Sequence, residues 1–219
     1  MLSTALISNV IPPLKTSDTI QKALERMNEF KLYHLPIVNE SQLLGLVSEK
    51  ELLAAHDEQS ALGNLPLSIV NALVYNDAHI YEVIKLFQEL KLSVVPVLDD
   101  HKKYLGLISI HNLVPALTEA IGLTEIGGII TLNVGNRNNS LAQLAQIVES
   151  DNAQILSSYV SSSPDTNSLE VTLKINKTEL SGIVAAFERY NYQVKGVYNT
   201  DILHDYEDRF NSLMNYLNV

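Results

Sequence analysis

Two short stretches pair a hydroxyl with an acceptor side chain three residues on: Ser48-Glu49-Lys50-Glu51 and Ser109-Ile110-His111-Asn112. Each follows an apolar run, GLVS or GLIS, and precedes a helical pattern, so each marks a helix N-terminus. The exposed N–H groups of such a terminus favour an anion, and a short acceptor beside them can fix a sugar hydroxyl. The first stretch also reads as a capping box, in which Ser48 and Glu51 satisfy the helix's own donors without a ligand. Asn112 cannot complete the charged box, which makes Ser109 and Asn112 the better candidate for a ligand contact.

Other chemistry is sparse. The six histidines (34, 56, 79, 101, 111 and 204) are scattered, without the i, i+4 pair or flanking carboxylates that metal sites use. Asp99, Asp100 and His101 lie together but read as a solvated turn. There is no cysteine, which removes disulfides, thiol catalysis and thiolate metal sites. Neither a nucleophile elbow nor a phosphate-binding loop of the G-x-x-x-x-G-K type occurs. No enzyme activity and no metal are expected.

The elements that must position these residues come from a chain of 219 residues, long enough for two cores, with 46% hydrophobic and 18% charged residues. Acidic residues exceed basic ones by 25 to 15, giving a formal charge of −10, and no Lys/Arg cluster offers a track for nucleic acid. With neither a basic-then-apolar start nor a membrane-length apolar span, a cytoplasmic address is the expectation.

The first half repeats itself. A shift of 60 positions pairs Ile20 with Ile80, Leu24 with Ile84, Met27 with Phe87, Leu32 with Leu92 and Pro36 with Pro96. One inserted residue near Asp99 to Lys103 makes the shift 61 and aligns Gly45–Ser48 with Gly106–Ser109. Each unit opens with a helical face (Ile20, Ala23, Leu24, Met27; Ile80, Val83, Ile84, Phe87). Two strands about a polar turn follow, LPIV to LLGLVS and VVPVL to YLGLIS, and then a second helix, EKELLAA or IHNLVPAL. This order, with a Pro in the first strand and a Gly in the second, resembles the CBS domain, which normally occurs as a tandem pair packed as a Bateman module. The expectation is repeat 1 over about 3–58 and repeat 2 over about 62–118, within residues 1–120.

That resemblance implies an adenine nucleotide ligand, such as AMP, ADP, ATP or S-adenosylmethionine, in the cleft between the repeats. In CBS pairs that bind one, a Ser or Thr ends the last strand and an Asp three residues later holds the ribose. The matching positions are Ser48 with Glu51 and Ser109 with Asn112; Glu51 is a methylene longer than Asp, and Asn112 is uncharged. The phosphate-meeting positions, three residues ahead of the Pro, hold Tyr33 and Ser93, with His34 adjacent.

After residue 125 the pattern becomes strand (from Gly128-Ile129-Ile130), helix (Leu141, Leu144, Ala145, Val148), strand and strand (QILSSYV, LEVTLKI). A helix (Leu180, Ile183, Val184, Phe187) and a strand (YQVKGV) complete it. This split βαβ order is that of a ferredoxin-like domain over 125–199, giving an α/β (α+β) chain. With NRNNSLAQLAQIVESDNAQIL it resembles the ACT domain, whose ligand loop usually reads Asp-x-Pro-Gly. Here Asn138 and Asn139 stand where Pro and Gly would shape the pocket, and the loop is read as capping the helix near Ser140 in a dimerisation domain. Residues 200–219 spell an amphipathic helix through Leu203, Tyr206, Phe210, Leu213 and Leu217. CBS and ACT parts in one short chain resemble the acetoin utilization group of bacterial regulators. A homodimer and an unidentified protein partner are expected.

Overall fold

The computed structural model describes residues 1–8, 10–67, 69, 71–135, 140–162 and 168–199. The chain divides into two compact units, Met1–Leu117 and Thr118–Val219. The first contains α1 (Ile20–Phe30), β1 (His34–Asn39), β2 (Gln42–Ser48), α2 (Glu49–Leu53), β3 (Val74–Tyr75), α3 (Ile80–Leu90), β4 (Val94–Leu98), β5 (Tyr104–Ser109) and α4 (Ile110–Ala120). The second contains β6 (Gly128–Gly135), α5 (Leu141–Glu149), β7 (Ile155–Ser162), β8 (Ser168–Ile175), α6 (Ser181–Arg189) and β9 (Gln193–Asn199).

The repeat seen in the sequence is a repeat in space. Helices α1 and α3 are both eleven residues long and bury the matching stripes Ile20, Ala23, Met27 and Ile80, Val83, Phe87. Each ends on a lysine in the left-handed conformation, Lys31 at φ 55° and Lys91 at φ 50°, whose N–H returns to a carbonyl of the last turn. At the front, the Thr19 hydroxyl accepts from Lys22 N–H, while His79 accepts from Tyr81 N–H and gives its own N–H to Glu82. Two antiparallel hairpins follow, with Pro36 opposite Leu46 in β1–β2 and Pro96 opposite Leu107 in β4–β5. The second helices differ: α4 has eleven residues, but α2 has only five and stops short of the EKELLAA pattern.

The periodicity gave no sign of an exchange between the repeats. The segment leading into repeat 1 pairs with repeat 2, where Ser8 N–H donates to the Leu107 carbonyl at 2.8 Å. The segment leading into repeat 2 pairs with repeat 1, where Leu46 N–H donates to the Ile69 carbonyl at 2.9 Å. Of residues 3–8, assigned to repeat 1 by sequence, Ser8 thus pairs with strand β5 of the other repeat. Close approach of the crossing segments explains the glycine just before each contact: a Cβ on Gly106 would sit 2.4 Å from the Ile7 side-chain methyl Cγ2, and one on Gly45 would sit 3.0 Å from the Ile69 carbonyl oxygen. One apolar core runs through both repeats and includes Leu14, Leu35, Leu46, Val74 and Leu107.

In the second unit the strand order is β7-β8-β6-β9, every neighbour antiparallel, which is the ferredoxin-like arrangement. Alternate residues of β6 (Ile130, Leu132, Val134) and β8 (Val171, Leu173, Ile175) share a core with Ile147, Ile183 and Phe187 of the helices. Leu141, taken from the sequence as part of the α5 face, is instead exposed at the helix start, and Ile147 is buried with Leu144 and Val148. The Ser140 hydroxyl caps α5 by accepting from Gln143 N–H at 3.4 Å. Asn138 and Asn139, and the amphipathic pattern of 200–219, lie outside the described residues.

Candidate functional site

Strands β2 and β5 run directly into α2 and α4, and this places Ser48 and Ser109 at equivalent corners. At the first corner Ser48 is extended (φ −99°, ψ 150°), and both its N–H and its hydroxyl donate to Glu51 Oε2 at 2.7 Å. Glu51 N–H returns to Ser48 Oγ at 3.3 Å, so the box is closed. At the second, the Ser109 hydroxyl donates to Asn112 Oδ1 at 2.5 Å and accepts from Asn112 N–H at 3.3 Å. Ser109 is buried; Ser48 and Glu51 are half-buried.

Each corner is tied to the start of its own hairpin. The first N–H of α2, on Glu49, donates to the Tyr33 carbonyl at 2.9 Å, and that of α4, on Ile110, donates to the Ser93 carbonyl at 3.1 Å. The hairpin starts then meet each other across the two repeats. Ser93 Oγ accepts from Tyr33 N–H at 3.0 Å and from His34 N–H at 2.9 Å, and Ser93 N–H donates to His34 Nδ1 at 3.3 Å. Burial holds the His34 pKa below its ordinary value, against the opposing pull of the Glu51 carboxylate. A neutral ring accepting at Nδ1 carries its proton on Nε2. The Tyr33 side chain is 64% exposed, so only its backbone takes part in this junction.

The structure therefore gathers Tyr33, His34 and Ser93 at one point, and joins Ser48 to Glu51 and Ser109 to Asn112. No local pattern marks Ser93 as the partner of His34, 59 residues away. The only trace was the 60-residue shift that aligns Ser93 with Tyr33. A groove of about 310 Å³, also unseen in the sequence, lies beside Glu51 and is floored by Ala54, Leu65, Pro66 and Leu67. The Leu65-Pro66-Leu67 run could have marked it. Asp99 is occupied in its turn, accepting from His101 and Lys103 N–H groups at 2.9 and 2.8 Å. Among the described residues no group of three or more His, Asp or Glu side chains could hold a metal ion, and no helix is long and apolar enough to cross a membrane.

Comparison with known proteins places this geometry. The CBS domain family matches residues 5–58 and 71–119. The chain is similar in fold to a CBS domain pair/ACT domain protein of Thermotoga maritima, at 24% identity and a TM-score of 0.50, over 55% of this chain and 99% of that one. Among curated proteins it is 26% identical over 128 residues to a homoserine O-acetyltransferase of Methanococcus vannielii, over 53% of this chain. It is 23% identical over 109 residues to an inosine-5'-monophosphate dehydrogenase of Methanocaldococcus jannaschii, over 49% of this chain. The chain spans about a quarter of the length of these curated relatives, 26% and 22%. The two family matches cover the two hairpin repeats of the first unit, so that 5–58 and 71–119 form a tandem pair of CBS domains.

Proposed function

We propose that this chain is a regulatory module without catalytic activity of its own, whose CBS pair takes an adenine nucleotide and passes a change of packing to a protein partner. The observation that carries the reading is the groove beside Glu51. Leu65, Pro66 and Leu67 offer an apolar lining for a base, and the Glu51 carboxylate in the same lining is an acceptor for a ribose diol. Ser109 and Asn112 occupy the equivalent corner of repeat 2 and form the second candidate. The ferredoxin-like unit serves as the dimerising part, in the manner of the ACT domains it resembles, and the combination is that of the acetoin utilization group.

A second reading has its own observation. The polar side chains at both corners already bond to each other, so the pair could serve as an interaction scaffold that needs no ligand. A thermal-shift series with AMP, ADP, ATP and S-adenosylmethionine separates the two. A ligand at a hundred times its dissociation constant adds about 2.7 kcal/mol to the folded state, a readily measured rise in melting temperature. The sensor reading requires that rise, saturable and reduced at least about tenfold in affinity by Glu51→Ala, the loss of one charge-assisted hydrogen bond. No rise with any of the four leaves the scaffold.

A further inference from the structure

The apolar core joins the two repeats symmetrically, but their polar junction is one-sided. By the 60-residue shift, His34 corresponds to Val94 and Ser93 to Tyr33, so the hydroxyl comes only from repeat 2 and the imidazole only from repeat 1. Ser93 Oγ has two lone pairs, and both face backbone donors, Tyr33 N–H and His34 N–H. His34 Nδ1 lies 3.3 Å from both Ser93 N and Ser93 Oγ, and when unprotonated it is the acceptor of the Ser93 N–H and faces the Ser93 hydroxyl proton.

We propose that His34 is a proton-operated latch between the two CBS repeats: the neutral ring holds the start of β4 through Nδ1, and protonation there releases it. An imidazolium is a donor at both nitrogens. Its Nδ1–H would face the Ser93 N–H, donor against donor, and the other atom in reach, Ser93 Oγ at 3.3 Å, has both lone pairs turned to the Tyr33 and His34 N–H groups. The start of β4 must then shift or the ring must turn out. Either movement reaches α4 directly, because the Ser93 carbonyl accepts the first N–H of that helix.

The charged and titratable groups at the junction set the direction. From α2, the Glu51 carboxylate favours the protonated ring, while burial disfavours it and prevails. From α4, His111 places Nε2 3.5 Å from the carbonyl of Lys31, the residue that caps α1. The latch is accordingly shut at neutral pH and opens on acidification. Nothing in this depends on whether a nucleotide binds beside Glu51, so failure of the nucleotide reading leaves the latch standing.

The test is nuclear magnetic resonance on the full chain from pH 8 to pH 5. Long-range nitrogen spectra of His34 should show an unprotonated Nδ1 at pH 8. The protection of the Ser93 amide against hydrogen exchange, corrected for the intrinsic pH dependence of exchange, should fall by about tenfold per pH unit once the ring titrates. In His34→Asn the side-chain oxygen takes the place of Nδ1 as acceptor and cannot be protonated in this range, so protection of Ser93 should persist without the pH step. A proton on Nδ1 at pH 8 would overturn the proposal. So would Ser93 protection that responds to pH alike in the wild type and the variant. Should His34→Asn fail to fold, the wild-type tautomer and the Ser93 titration decide alone.

Discussion

Repeats 1 and 2 share a hairpin register, an eleven-residue first helix and the left-handed lysine that ends it, yet they differ where chemistry is expected. Repeat 1 ends in a closed, charged box on a five-residue helix, with a groove beside Glu51. Repeat 2 ends in a buried Ser109 bonded to a neutral Asn112 on an eleven-residue helix. The lesson is that the shared features are those the common core requires, while the corners, which the core does not constrain, are free to diverge. Both corners bond internally, one through a carboxylate and the other through an amide, and under the proposed function the diol goes to the carboxylate.

The strongest way to break that comparison is to attack the part held in common. Leu46 and Leu107 are equivalent, fully buried, and next to the two exchanged contacts. Leu46→Ala and Leu107→Ala should each cost about 2–5 kcal/mol in urea unfolding, and each should leave a single transition for the whole first unit. If Leu46→Ala melted repeat 1 while repeat 2 stayed folded, the repeats would be separate bodies and their symmetry a matter of ancestry alone.

A smaller effect should separate the corners. Ser48→Ala removes a cap but leaves Ser48 N–H on the Glu51 carboxylate, a loss of about 1 kcal/mol. Ser109→Ala takes both the acceptor from Asn112 N–H and the donor from Asn112 Oδ1 at a buried position, for about 2 kcal/mol. Equal losses, by thermal unfolding of the two variants, would show that the corners are alike after all.

Much of this was legible in the sequence, for a physical reason. The helices and hairpins of both units follow from local periodicity, and the 60- and 61-residue shifts match stripes that do lie on the same faces. What periodicity cannot carry is a contact made by one or two residues with a distant strand. Ser8 on Leu107 and Ile69 on Leu46 are such contacts, and the exchange of leading segments went unseen. At the candidate site, Ser48 with Glu51 and Ser109 with Asn112 are local pairs, readable as caps. The bond between His34 and Ser93 spans 59 residues and two repeats, and neither residue's own neighbourhood signals it.

The finest test of the difference between the repeats is the pH dependence of stability, because a titrating ring occupies the junction from repeat 1 whereas the equivalent place in repeat 2 holds the fully buried Val94. Burial depresses the pKa of His34 in the folded state below its ordinary 6.5, and the nearby Glu51 only partly opposes this. The unfolded chain therefore takes up a proton at higher pH than the folded one does. The contribution of His34 to stability is complete above about 6.5 and declines as the pH falls from there towards the folded pKa, below which the decline stops. Measured as the difference between wild type and His34→Asn in urea unfolding across pH 8 to 5, that decline should appear in the wild type alone. A difference that stays flat would mean that the junction binds no proton on unfolding. One that grows in favour of the wild type as the pH falls would mean that the attraction of Glu51 for the imidazolium outweighs burial, and that acid tightens the joint between the repeats instead of loosening it.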